Sequence, residues 1–177
     1  MCRIMLYLFI LAPFLTRGDV IIPVPHLSQQ TPVWCWVAAA QQIVAFQRGL
    51  NHTPAQCVMV EASGGLPPGT CCVSANPVCV HAGNFVAVSN LISYYGGAIS
   101  SYVLPSNPSV IYATLQQGRP ILAQLASGGG NTHVVVIRGM MLNPSPLLIV
   151  NDPLQPNPII IPFDNLAGVW MDGLVIN

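Results

Sequence analysis

The sequence predicts an α+β fold in which a helical half, early in the chain, meets an antiparallel sheet along a cleft. Between residues 35 and 117, apolar side chains recur at helical spacing in four segments. After residue 120 the character changes to short β-rich runs split by Gly, Pro or Asn. With 177 residues the chain is long enough for one domain with a real hydrophobic core and too short for two comfortable ones.

Composition removes several function classes. Charged residues make up 6% of the chain, there is no lysine, and five basic side chains balance five acidic ones. No basic surface exists to hold nucleic acid or anionic lipid. Hydrophobic residues make up 53%, yet after the first twenty residues the apolar runs are broken by Arg48, Arg119, Arg138 or proline. None reaches the roughly 20 apolar residues that a membrane helix requires.

The N-terminus differs. Arg3 precedes the apolar run IMLYLFILAPFL, which fits the core of a signal peptide and is too short to span a membrane as a helix. Residues 1–18 are therefore expected to be removed, leaving a secreted domain, extracellular or periplasmic, over residues 19–177 with no stable membrane anchor. The ten residues between this cleavage point and Gln29 leave no room for a folded inhibitory propeptide.

Residues 20–30, VIIPVPHLSQQ, read as an extended segment, because Pro23 and Pro25 bias their neighbours away from helix. A helix is expected over 35–48, with Trp36, Ala39, Ala40, Ile43, Val44 and Phe46 apolar and Gly49 as its stop. Thr53-Pro54 reads as the cap and first turn of a short helix carrying Cys57. The stretch ASGGLPPGTCCVSANPVC is loop by composition. Helices over 83–95 and 107–117 follow, the second opened by Asn107-Pro108. The runs PILAQLA, HVVVIRGMML, PLLIVND, PIIIPF and VWMDGLVI then supply the strands.

Cysteine parity points to one special thiol. Once Cys2 leaves with the signal peptide, Cys35, Cys57, Cys71, Cys72 and Cys79 remain, and an exported chain with an odd number keeps one thiol spare or shares it between chains. If Cys35 is the spare, the other four can form two disulfides. Cys71 and Cys72 are adjacent and poorly placed to bridge each other, so they are expected to pair outward to Cys57 and Cys79, in either combination.

Cys35 sits where a loop gives way to a helix, and the helix dipole with its unpaired amides favours a thiolate there. A buried structural cysteine would show the same local pattern. A nucleophile needs a base, and His133 opens a hydrophobic strand directly after the flexible SGGGNT, at a sheet edge over the cleft. The base needs an orienting group. The next strand ends in Asn151-Asp152-Pro153 at the same kind of edge, with Asp152 the first choice and Asn151 the reserve. Gln29, six residues before Cys35, could supply an oxyanion donor beside the Cys35 amide, with Gln30 one step out of register.

These residues together resemble the papain-like cysteine peptidases. The pattern is Gln29 and Cys35-Trp36 before a small-residue helix, then His133 opening one strand and Asp152 ending the next. The resemblance is greatest to the compact bacterial subgroup that includes double-glycine leader peptidases and secreted effector proteases. It implies a two-lobed papain-like fold, a thiolate–imidazolium pair, and hydrolysis of a peptide or protein substrate through an acyl-enzyme. It implies no cofactor and no metal, and a monomer is expected. The chain departs from larger papain relatives in lacking C-G-S-C-W, in its short Cys-to-His spacing, and in Asp rather than Asn as orienting residue. A thiol acyltransferase would use the same machinery. A secreted binding module would need none of it. A zinc site from Cys57, Cys71, Cys72, Cys79 and His81 would require an unusual ligand spacing.

Overall fold

A computed structural model describes residues 18–73, 76–101 and 107–177. The expected signal peptide lies outside these residues apart from Gly18. Helix α1 (Cys35–Arg48) begins on Cys35 itself and stops at Gly49, whose positive φ of 83° suits a residue without a side chain. α2 (Gln56–Gly64) carries Cys57. α3 (Phe85–Tyr94) is capped by Asn84, whose side chain accepts the Ala87 N–H, and α4 (Pro108–Gln116) by Asn107, which accepts the Ser109 N–H.

The start of α2 differs from the sequence expectation. Thr53 does not cap it: its hydroxyl donates to the Gly49 carbonyl and its N–H to that of Leu50, closing a 3-10 turn over Leu50–His52. The chain then runs extended to Ala55 before α2 begins. A threonine hydroxyl can serve the helix behind it as readily as the one ahead.

The five β-rich runs form β3 (Ile121–Ala126), β4 (Thr132–Met141), β5 (Leu147–Asn151), β6 (Ile159–Pro162) and β7 (Trp170–Ile176). Two strands too short to show alternation join them, β1 (Val20–Ile21) and β2 (Ile99–Ser101), and a short helix α5 (Phe163–Ala167) separates β6 from β7. All the pairings are antiparallel, in the order β2-β7-β3-β4-β5-β6, with β1 on β4. The last strand thus inserts between β2 and β3.

α1 packs against β4 on the sheet and against α2 and α3. The expectation of one apolar face understates its burial, because residues 36–40 and 42–45 are all buried. Alanines at 38, 39 and 40 let neighbouring elements close around the helix, and Trp36 and Ile43 fill what remains. Each large side chain so buried contributes about 1.5–3 kcal/mol.

Cys57 is bonded to Cys72, and Cys71 to Cys79. These bonds tie α2 and the cysteine-rich loop together and leave Cys35 free. Replacing Cys71 and Cys79 together by serine should lower unfolding stability by about 2–4 kcal/mol. The shift in urea midpoint measures it, and an unchanged midpoint would mean the loop is held by other contacts.

Candidate active site

Cys35, as the first residue of α1, lies where unpaired backbone amides and the helix dipole converge. His133 is the second residue of β4, reached through a loop in which Gly128, Gly129 and Gly130 all have positive φ, at 84°, 59° and 79°. Three successive left-handed positions demand glycine, and they reverse the chain tightly enough to set Leu125 opposite His133 in the β3–β4 register. In the next pairing Val136 lies opposite Asn151, so the residue just past the end of β5 arrives beside His133. That residue is Asp152. Its Oδ1 lies 2.6 Å from His133 Nε2 and also accepts the Leu154 N–H at 2.9 Å. The bond to Asp152 occupies Nε2 and leaves Nδ1 for the Cys35 thiol, whose titration is coupled to the same ring.

The titration of all three groups follows from these contacts. Burial acts to raise the Cys35 pKa, but the hydrogen bond to His133, the backbone amides of Val134 and Trp36 and the imidazolium charge outweigh it, and the thiol falls below its usual range. For His133 burial acts to lower the pKa. The hydrogen bonds to Asp152 and Cys35, with the negative charge of both, instead hold it up at about 9. Asp152, pushed up by burial, is held below the usual carboxylate range by His133 and the Leu154 amide. Between the two extremes the stable state is thiolate, imidazolium and carboxylate.

The neighbouring candidates separate cleanly. Asn151 is fully buried, and its Nδ2 donates to the carbonyls of Val24 and Pro25 at 3.2 Å each, so it pins the leading segment to the sheet. Gln29 is half-buried. One N–H of its amide donates to the Thr31 carbonyl at 2.7 Å, and its backbone N–H to Pro153 O at 2.9 Å. The Gln30 side chain is exposed.

Cys35 and His133 line a cavity of about 520 Å³, the size of a small-molecule or peptide subsite. Val33, Ala82, Gly83, Gly130 and Leu154 contribute to its walls, and His133 is the only ionisable group in the lining besides Cys35. Gly83 is a site residue that the sequence did not disclose. A β-carbon there would fall 2.2 Å from the Trp36 ring, so only glycine lets this wall close over it. Both tryptophans flanking Cys35 reach the cysteine-rich loop: Trp34 Nε1 donates to Cys79 O at 2.9 Å and Trp36 Nε1 to His81 O at 3.3 Å. Trp36 also stacks on the His81 ring. The disulfide-bonded loop is therefore held against the start of α1, and Ala82 and Gly83, just beyond it, line the cleft. Its four sulfurs, all engaged in disulfides, offer no thiolate to a metal ion.

The fold and the cleft define a papain-like cysteine peptidase, a hydrolase. The chain belongs to the Peptidase_C39-like family, whose profile matches residues 21–171. Among solved structures it is similar to a candidate C39-like peptidase from Bacillus anthracis, at 15% identity and a TM-score of 0.64 over 91% of this chain and 98% of that one. It is similar also to the peptidase domain of Streptococcus ComA, a bifunctional ABC transporter, at 14% identity and a TM-score of 0.64 over 86% and 96%. A third is a double-glycine-motif protease from an AMS/PCAT transporter, in complex with the leader peptide, at 19% identity and a TM-score of 0.57 over 91% and 94%. At such identities the likeness is one of fold. No curated protein sequence matches the chain. No helix among the described residues is long and apolar enough to cross a membrane.

The lowered Cys35 pKa predicts that iodoacetamide alkylates this thiol at neutral pH faster than an ordinary cysteine, with the rate falling only as pH drops through the lowered value. In His133→Ala the imidazole's hydrogen bond and charge are gone while burial and the Val134 and Trp36 amides remain, so the midpoint should climb toward the ordinary thiol range. A pH–rate profile of alkylation by mass spectrometry measures both, and identical profiles would contradict the coupling.

Proposed function

We propose that the chain is an exported cysteine endopeptidase in which Cys35, His133 and Asp152 form the catalytic unit and Gln29 donates to the oxyanion. Residues 1–18 direct export and residues 19–177 are the peptidase domain. The observation that carries this reading is a free thiol at a helix start sharing one cavity with an imidazole that a carboxylate holds at 2.6 Å. Two disulfides support export, since such bonds persist in oxidising compartments.

In the reaction the Cys35 thiolate attacks the carbonyl carbon of the scissile bond, and the electron pair of the C=O moves to oxygen. The Cys35 N–H and the second amide N–H of Gln29 receive that oxyanion. His133 gives its Nδ1 proton to the departing amine, the C–N bond breaks, and an acyl-enzyme remains. Water, losing a proton to the now neutral His133, attacks the thioester, and the acid product leaves with Cys35 again a thiolate. Asp152 holds the ring throughout by its bond to Nε2 and stabilises the imidazolium.

The substrate is a peptide or protein, a reading supported by the solved relative in complex with the leader peptide. The cavity lining carries no charge outside the catalytic pair, which favours uncharged residues next to the scissile bond.

Digestion of a denatured proteome library, read by mass spectrometry of new termini, tests activity and preference together. Wild type should generate a defined set of cuts that Cys35→Ala and His133→Ala do not, because a Cys–His pair fails as a unit. Asp152→Ala should lower kcat/KM by about 10²- to 10⁴-fold and still leave measurable turnover. Asn151→Ala should act mainly on thermal stability. Near wild-type cutting by Cys35→Ala would sink the mechanism.

A further inference from the structure

A buried carboxamide outside the proposed catalytic unit grips the backbone on either side of the residue assigned to the oxyanion. Gln56, the first residue of α2, is 2% exposed. Its Oε1 accepts the Gln30 N–H at 2.9 Å, and its Nε2 donates to the Ser28 carbonyl at 2.8 Å and to Gln41 Oε1 at 3.0 Å. Gln41 is held in turn by donating to the Pro54 carbonyl at 2.7 Å. Both amide hydrogens of Gln56 are engaged, and so is its oxygen.

The residue between the two backbone groups it grips is Gln29. The peptide before Gln29 is bonded on both sides, its C=O to Gln56 and its N–H to the Pro153 carbonyl at 2.9 Å. The peptide after it is bonded to Gln56 through its N–H. The backbone at Gln29 therefore has little freedom to rotate, and its side chain leaves that backbone in a set direction. The adjacent Leu27 carbonyl is fixed by Gln42, itself fully buried, at 2.9 Å. A buried amide left half-satisfied is costly, so a group that must both donate and accept at this position is tightly specified.

We infer that Gln56 is a positioning residue for the oxyanion site: its carboxamide clamps the backbone on either side of Gln29 and so aims the Gln29 amide at the developing oxyanion. The inference rests on Gln29 being the oxyanion donor. A misaimed donor loses stabilisation in the transition state while ground-state binding and the thiolate persist. Gln56→Glu keeps the acceptor for Gln30 and loses both donors. Gln56→Met keeps the volume and loses every polar contact without adding a buried charge.

The test is a double-mutant cycle on a peptide that wild type cleaves, combining Gln29→Ala with each Gln56 variant, with the rate of Cys35 alkylation by iodoacetamide at pH 7 measured in parallel. Gln29→Ala should lower kcat by about 10²-fold. Each Gln56 variant alone should lower kcat by about tenfold or more, with KM and alkylation rate within twofold of wild type. In the Gln29→Ala background the Gln56 substitutions should cost no more than twofold further, because there is no donor left to aim. Equal losses in both backgrounds, wild-type kcat in the Gln56 variants, or an alkylation rate that falls in step with kcat would overturn the inference while leaving the role of Gln29 intact. Wild-type kcat in Gln29→Ala would instead remove the oxyanion reading and this inference with it.

Discussion

The 2.6 Å bond between His133 Nε2 and Asp152 Oδ1 is the contact on which the rest of the site depends. It decides which ring nitrogen is left for the thiol, and together with Cys35 it keeps His133 protonated to about pH 9. It exists because two neighbouring strands keep one register. Asn151, buried in the sheet and bonded to two carbonyls of the leading segment, resists a slip of that register, and a shift by one residue would turn Asp152 to the opposite face. The short strand β1, paired with the far half of β4, ties the same leading segment to the same long strand.

Around this charged centre most of the supports are neutral, Arg138 on the Val24 carbonyl being the charged one. Gln42, Gln56 and Asn151 fix the segment leading to Cys35 by donating to its backbone carbonyls, Gln56 also accepts the Gln30 N–H, and Gln41 supports Gln56. A buried carboxamide gives directional hold without the desolvation cost of a buried ion, which a lost partner would leave uncompensated. In a chain with five basic and five acidic residues, amides take over the work that ion pairs do elsewhere.

Much of this was legible in the sequence, and the reasons are local. The helices bearing Cys35 and Phe85 show helical spacing over ten or more residues and end on glycine or tyrosine-glycine, so their positions could be read closely. The five long strands were equally plain. Strand order was not, because the insertion of β7 between β2 and β3 is a long-range pairing that no local pattern records. Cys35, His133 and Asp152 stood out because each ends or begins an element at a break in pattern. Asp152 could be ranked ahead of Asn151 but not settled, since adjacent residues at a strand end face opposite ways and only the register says which faces the histidine. Gly83 and Gln56 were invisible for another reason: a glycine in a loop and a glutamine at a helix start are ordinary, and only the Trp36 ring and the Gln29 backbone give them meaning. The two disulfides could be counted beforehand, but their partners depend on how the loop folds back over Trp34.

The scarcity of charge has a kinetic consequence. The protein's own field around the cleft comes mostly from Cys35, His133 and Asp152, with no ring of lysines, arginines or acids in the cavity lining to draw a charged partner in or turn one away. Encounter with substrate then proceeds at the unsteered rate, about 10⁵–10⁶ M⁻¹s⁻¹, and salt has little to screen. Discrimination among substrates falls to what happens after contact, in the fit of an uncharged backbone past Gly83 and the glycine loop before His133.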